Sequence, residues 1–246
     1  MAAIVLTDCQ VYVDDHDMTG DANQAMLNAN VESKKCTVFS PVPWDTFLKG
    51  VRSADLAVAG YWSPGTGDTV DATEWAANGT AGRVVTLVAP GSTEGGAAYV
   101  LQTVRTTYDF LEGGHGEVAA YKLTAKSSAI DGVVRGKSLL TKTASISGTG
   151  AVGTAVQVGA VAADEFLYLV VHLFGTAGTS ITIAAESDAT NAFAGAETSR
   201  ANTGSLTASG GTWVTKVAGP ITDEWWRLNV TAVVGSWTAA GTVGIQ

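Results

Sequence analysis

Between Ala22 and Trp62 the chain carries two alternating runs that commit it to pairing strands. From Gln24 to Ser33, Ala25, Leu27, Ala29 and Val31 fall on one side. Gln24, Asn28, Asn30 and Glu32 fall on the other, with Met26 out of step. A period of two belongs to a strand with one buried and one wetted face. Ser53 to Trp62 repeats it, with Ala54, Leu56, Val58, Gly60 and Trp62 opposite Ser53 and Asp55. The segment between, Cys36 to Gly50, interrupts the pattern with Pro41, Pro43 and Trp44. Two long strands around a sizeable loop are expected, with Leu27, Val31, Leu56 and Val58 packed inside the subunit. The wet face carries amides and carboxylates rather than a cluster of catalytic groups, which suits a protein that builds a surface.

The rest of the chain extends the same pattern. With 46% hydrophobic residues among 246, a packed core is within reach. Glycine is abundant (29) and proline scarce (5), a mix that favours short strands joined by glycine turns. Arg83–Ala89 and Ala97–Tyr108 read as strands, Glu117–Ser127 as the antiparallel partner of the latter, and Val133 onward as another. One short helix is expected, with Asp71 as N-cap, Glu74 at capping-box spacing, Trp75 as its anchor and Asn78-Gly79 as its stop. After Thr141 the chain becomes richer in Gly, Thr, Ser and Ala, and Lys and Arg become sparse. A boundary near 138–144 is expected, dividing 1–140 from 141–246. Leu167–Phe174, apolar on both faces except for His172, reads as a central strand. Trp226, Leu228 and Val230 alternate with Arg227, Asn229 and Thr231. The second part is therefore expected to be a β-sandwich and the whole chain mainly β.

Several motifs dissolve on inspection. Gly148-Thr149-Gly150-Ala151-Val152-Gly153 matches a dinucleotide fingerprint in letters, but a strand pattern follows where a helix is needed. Asp15, Asp17 and Gly20 fit the start of a calcium loop, yet its twelfth position is Met26 and not Glu. His16, His115 and His172 lie in separate segments without ligands at metal spacing. Asp14-Asp15 and Asp223-Glu224 read as solvated turns. No enzyme, metal or cofactor is expected. A net charge of −9 argues against gripping nucleic acid through its phosphates. Cys9 and Cys36 read as two buried thiols, and their pairing stays open. No basic leader and no long apolar run is visible, so the chain reads as soluble and made in a cytoplasm. Trp213 and Trp225 are candidates for an aromatic ligand surface, against core packing as the plainer reading.

The order of features resembles the tail tube (major tail) proteins of long-tailed bacteriophages. The resemblance rests on Leu6–Gln24 with its Thr-Gly-Asp turn and on the alternating strand to Ser33. It continues through Cys36–Phe39, Trp44, Phe47–Ala54, the Gly60-Tyr61-Trp62 ending, the helix around Trp75 and the Ala98-Tyr99 strand. Ala155–Val161, Leu167-Tyr168 and Ala218–Arg227 look like the C-terminal domain of some actinobacterial-phage versions. The resemblance implies a tail-tube β-barrel with one flanking helix over 1–140 and a C-terminal β-sandwich, of decoration type, over 141–246. It implies homo-oligomeric rings, usually hexameric, stacked into a virion tube assembled in the host bacterial cytoplasm. Tail terminator, tape-measure and tail-tip proteins would be its partners, with no membrane. Gln24, Asn28, Asn30, Glu32 and Asp55 would line the lumen through which DNA is ejected without specific binding. Pro41, Trp44 and Phe47 would contact a neighbouring subunit. The alternative is a surface-displayed sandwich that binds carbohydrate through Trp213 or Trp225.

Overall fold

The computed structural model describes residues 8–35, 47–65, 69–90, 93–176, 178–195 and 197–246. Pro41, Trp44 and Cys36 lie outside them. In chain order the elements begin with β1 (Gln10–Val13), β2 (His16–Asp17), a single 3-10 turn (Met18–Gly20), β3 (Ala22–Lys35), β4 (Phe47–Tyr61) and α1 (Val70–Ala76). Then come β5 (Arg83–Ala89), β6 (Ala97–Glu112), β7 (Ala120–Ser127), β8 (Val133–Ile146), β9 (Gly150–Gln157) and β10 (Phe166–Phe174). The chain ends with β11 (Ser180–Asp188), β12 (Thr198–Asn202), β13 (Gly210–Trp213), β14 (Val217–Ala218), β15 (Trp225–Val234) and β16 (Trp237–Ile245). The protein is mainly β with one helix among the described residues, and every strand pair is antiparallel.

Strand β6 is the axis of the first part. Its N-terminal half lies between β5 and β8, and its C-terminal half pairs with β7. Beyond β7 come β4 and then β3, which has β4 as its one strand neighbour among the described residues. The sheet curls around a core of Val11, Val13, Met18, Leu56, Val58, Val85, Leu101 and Leu123. Among the described residues it does not close into a barrel. Alternation put Leu56 and Val58 inside, and they are buried. Leu27 is half-buried against the same core. Val31 is 52% exposed, contrary to expectation. The reason is reach: β7 pairs with β4 only from Asp55 to Tyr61, so the outer half of the β3–β4 pair has no further strand beside it among the described residues.

The second part is a sandwich. A four-stranded sheet, β12-β11-β15-β9, covers the β10-β16-β8 stretch of the larger sheet. Leu167, Leu169, Val171 and Leu173 of β10 meet Ile183 and Ala185 of β11 and Trp226, Leu228 and Val230 of β15. Each fully buried side chain of this size contributes roughly 1.5–3 kcal/mol. The other face of β10 points back to the first part, where Tyr168 and Val170 pack with Val84, Val100 and Val134. The compositional change near 138–144 falls within β8, which pairs with β6 on one edge and β16 on the other. The larger sheet bends until β13 meets β5, so closely that a Cβ on Gly211 would lie 2.6 Å from the Val84 Cβ.

The helix forms where it was expected but is built differently. Thr69 is the N-cap, accepting from the Ala72 amide at 3.4 Å, and Asp71 sits in the first turn. Asp71 instead accepts from Trp62 Nε1 and the Tyr108 hydroxyl. Glu74 is fully buried, not a capping-box partner, and Trp75 is 64% exposed, not the anchor. The buried face is Val70 and Glu74. Arg83 and Arg105 decide this: two cations from β5 and β6 meet the Glu74 carboxylate, and that pairing turns the helix.

Candidate functional site

The face singled out by alternation is assembled by register. Asn28 stands opposite Asp55, Asn30 opposite Ser53, and Gln24 opposite Ala59. Residues directly opposite in an antiparallel pair share a face. Gln24, Asn28, Asn30 and Asp55 thus come together, with Asp55 half-buried and the amides exposed. Glu32 is exposed at a register shift between Val31 and Ser33, with its carboxylate 3.5 Å from Lys34 Nζ. The face continues onto β7, where Lys126 is opposite Asp55, Thr124 opposite Ala57 and Lys122 opposite Ala59. The two lysines were missed in the sequence reading, although their alternation with Tyr121, Leu123 and Ala125 is visible in it. They turn an acid-and-amide face into a mixed one, with carboxylates on β3 and β4 and two ammonium groups on β7.

Beyond Asp55 the surface is a projecting two-stranded arm. Asn30 to Lys35 pair with Phe47 to Ser53 and with nothing further. Phe47 (59% exposed) and Val51 (73% exposed) stand on it beside Val31. Lys34, Lys35 and Arg52 are exposed there too.

At the other end of β3 and β4 the structure is tied down. The Tyr61 amide donates to the Asp21 carbonyl at 2.9 Å. Gly60 packs so tightly there that an added Cβ would run into that same carbonyl oxygen. Asp14, in the left-handed region at φ 51°, accepts from Arg83 Nε at 2.6 Å and from the Val84 amide at 2.8 Å. Arg105, buried beside Glu74, has its pKa pulled down to about 10 by desolvation, against the attraction of Asp14. His172 is buried at the junction of the two parts, between the Asp14 carbonyl and the Thr86 hydroxyl, both at 2.8 Å. A carbonyl only accepts, so Nδ1 carries the proton and Nε2 accepts from Thr86. Burial holds this imidazole below its ordinary pKa.

The remaining candidates are dispersed. Trp213 is on β13, edge-on to Tyr168 at 5.7 Å, in the larger sheet. Trp225 is on β15 in the smaller sheet, half-buried, between Gln157 and Asp188. They share no platform. Asp17 and Asp21 serve the turn, the former capping Thr19 and pairing with Lys142 at 2.9 Å. Strand β9 begins at Gly150, inside the Gly148–Gly153 motif. Cys9 is half-buried. Among the described residues no group of three or more His, Cys, Asp or Glu is placed to hold a metal ion.

No protein-family model matches the chain, and no curated protein does. Among solved structures, a chain of the virion of a native gene transfer agent particle is similar at 22% identity and TM-score 0.41, over 52% of this chain and 95% of that one. The sheath/tube terminator of an extracellular contractile injection system is similar at 14% identity and TM-score 0.43, over 55% and 97%. The Dit protein of phage SPP1, described as a hub of the adsorption apparatus, is similar at 10% identity and TM-score 0.40, over 97% and 99%.

Proposed function

We propose that this chain is a structural virion protein, the subunit of a phage tail tube. Residues 1–140 would form the tube part and 141–246 an outward decoration. The observation that carries the reading is the β3–β4 arm. An isolated two-stranded ribbon is marginal in water. This one leaves its sheet after Asp55, bears Val31, Phe47 and Val51 in the open, and ends a sheet whose last strand has a free edge among the described residues. Such an edge is a template for a neighbouring chain, and closure across subunits removes it. The sequence resemblance supplies the class of assembly: rings of six, stacked, with terminator, tape-measure and tip proteins at the ends.

Within that assembly Gln24, Asn28, Asn30, Glu32 and Asp55 would face the lumen, joined by Lys122 and Lys126. Amides with balanced charges displace few counterions from a passing duplex, so DNA would slide without sticking. Phe47, with Pro41 and Trp44 beyond it, would reach a neighbour. Negative-stain imaging of the purified protein across a concentration series tests the reading. Rings or striated tubes are expected; a protein that stays monomeric at high concentration sinks it.

A second reading has one observation behind it. Trp225 stands in a cross-strand row with Gln157 and Asp188 on the smaller sheet, the mix of ring and polar groups that suits a sugar. Glycan binding lost in Trp225→Ala with assembly intact would assign that role to the second part.

A further inference from the structure

We infer that the second part binds a divalent cation, Ca²⁺ or Mg²⁺, between Asp188 and Glu197 on the outer face of the smaller sheet. The site rests on neither reading of function above. Register builds it. Glu186 is opposite Ser199 and Ser187 opposite Thr198, so the next position along brings Glu197 to Asp188. On its other side β11 sets Glu186 opposite Arg227 and Asp188 opposite Trp225. Trp226 and Leu228 point into the sandwich core, so Glu186, Asp188 and Arg227 share the opposite face. That face is covered. Asp188 is 5% exposed and Glu186 7%, and Phe193, from the connection between β11 and β12, lies over the Arg227 guanidinium at 4.3 Å. Glu197 is half-buried at the rim, which leaves a small ion a way in.

Charge under this cover does not balance. Arg227 pairs with Glu186 at 2.9 Å and with Glu197 at 3.2 Å, and the Asn229 amide donates to the other Glu186 oxygen at 2.6 Å. Arg200 is engaged by Asp223 and the Ser187 hydroxyl. Three carboxylates therefore meet one guanidinium. Asp188 Oδ1 accepts from the Thr190 amide and hydroxyl at 2.8 and 3.2 Å. Asp188 Oδ2 and Glu197 Oε2 are both buried, and neither has a hydrogen-bond partner. Buried charge is stable only when paired or bound to a metal. Hard carboxylate oxygens with no thiolate or imidazole among them suit Ca²⁺ or Mg²⁺. Two carboxylates do not fill a shell of roughly six to eight oxygens, so carbonyls and water complete it, and the affinity belongs to the weak class, with Kd of about 10⁻⁴–10⁻³ M. Bound there, the ion neutralises the excess charge and ties the start of β12 to the end of β11. The two acids are nine residues apart and in no loop motif, so spacing along the chain gives no sign of them.

Calcium titration of the whole chain tests this. Protein freed of metal with EDTA and returned to chelator-free buffer is expected to bind one Ca²⁺ per chain in equilibrium dialysis. At about 10 mM Ca²⁺, roughly 10–100 times that Kd, its melting temperature should rise by roughly 3–10 °C. NaCl at the same ionic strength should not reproduce the rise. Asp188→Asn and Glu197→Gln keep the oxygens that Thr190 and Arg227 use, and each should weaken Ca²⁺ binding more than tenfold. In EDTA, Asp188→Asn should melt above the wild type, because it removes an unpaired buried charge; in saturating Ca²⁺ the order should reverse. Asp164→Asn, at an exposed acid, should bind as the wild type does. If Asp188→Asn fails to fold, Glu197→Gln and the wild-type titration decide. No binding by the wild type up to about 10 mM, a concentration well above the weak-site range, overturns the site. So does binding retained in every folded variant of the pair, or binding lost equally in Asp164→Asn.

Discussion

At the scale of single residues, buried charge sets the details that alternation could not. Glu74 is fully buried and meets Arg105 and Arg83. Removing one partner of a buried pair leaves an uncompensated charge, which costs more than the pair was worth. Glu74→Gln is therefore expected to lower stability by roughly 3–5 kcal/mol, read from the urea midpoint. A loss below ~1 kcal/mol would show that water already reaches Arg105. His172 gives a pH dependence of definite sign. Its folded pKa lies below the ordinary 6.5 because burial disfavours the imidazolium, outweighing Asp14 and Asp17 nearby. The unfolded chain then binds the proton first, so stability is full above pH 6.5 and falls as pH drops below it. Asp17 and Asp223 are held below 3.8: at Asp17 burial opposes the shift but Thr19 and Lys142 outweigh it, and at Asp223 Ser187 and Arg200 cause it. Their contribution is lost only at lower pH. His172→Gln should flatten the slope of the unfolding free energy below pH 6.5, and an unchanged slope would exclude His172 as its source.

At the scale of elements, the same strand is stable at one end and unsupported at the other. From Asp55 inward, β4 lies between β3 and β7 beside the first core. Outward of Asp55 it has β3 alone. Local stability follows buried apolar contact and shielding of backbone hydrogen bonds. In the free subunit, amides of 30–35 and 47–53 are expected to exchange far faster than those of 55–61, and to become protected in assembled particles. Equal protection of both stretches in the monomer would remove the arm as an assembly element. The helix teaches a related point. A capping pattern located it correctly, but three candidate residues, Asp71, Glu74 and Trp75, took other roles. Local spacing says where a helix can start; its buried face is chosen by what lies beneath, here two arginines on β5 and β6.

At the scale of the whole molecule, the two largest apolar cores share one sheet. One lies under the curled first part and one between the sheets of the sandwich. Strand β8 belongs to both sides, and Val84, Val100 and Val134 pack with Tyr168 and Val170 across the junction. Calorimetry is accordingly expected to give one cooperative transition for the chain; two resolved transitions would mean the halves unfold independently. The strands, their faces and the sandwich were legible in the sequence, because a period of two is imposed locally by the pleat. Leu56, Val58, Trp226 and Leu228 went inside for that reason alone. What sequence could not decide is which strand lies next to which. Only pairing brought Lys122 and Lys126 onto the face of Asn28 and Asp55, left Val31 in the open by ending β7 short, and carried β8 through a change of composition. Alternation is a property of one strand and can be read along the chain. Neighbours, layers and ends are set by contacts between residues far apart in it, and these exist only once the chain has folded.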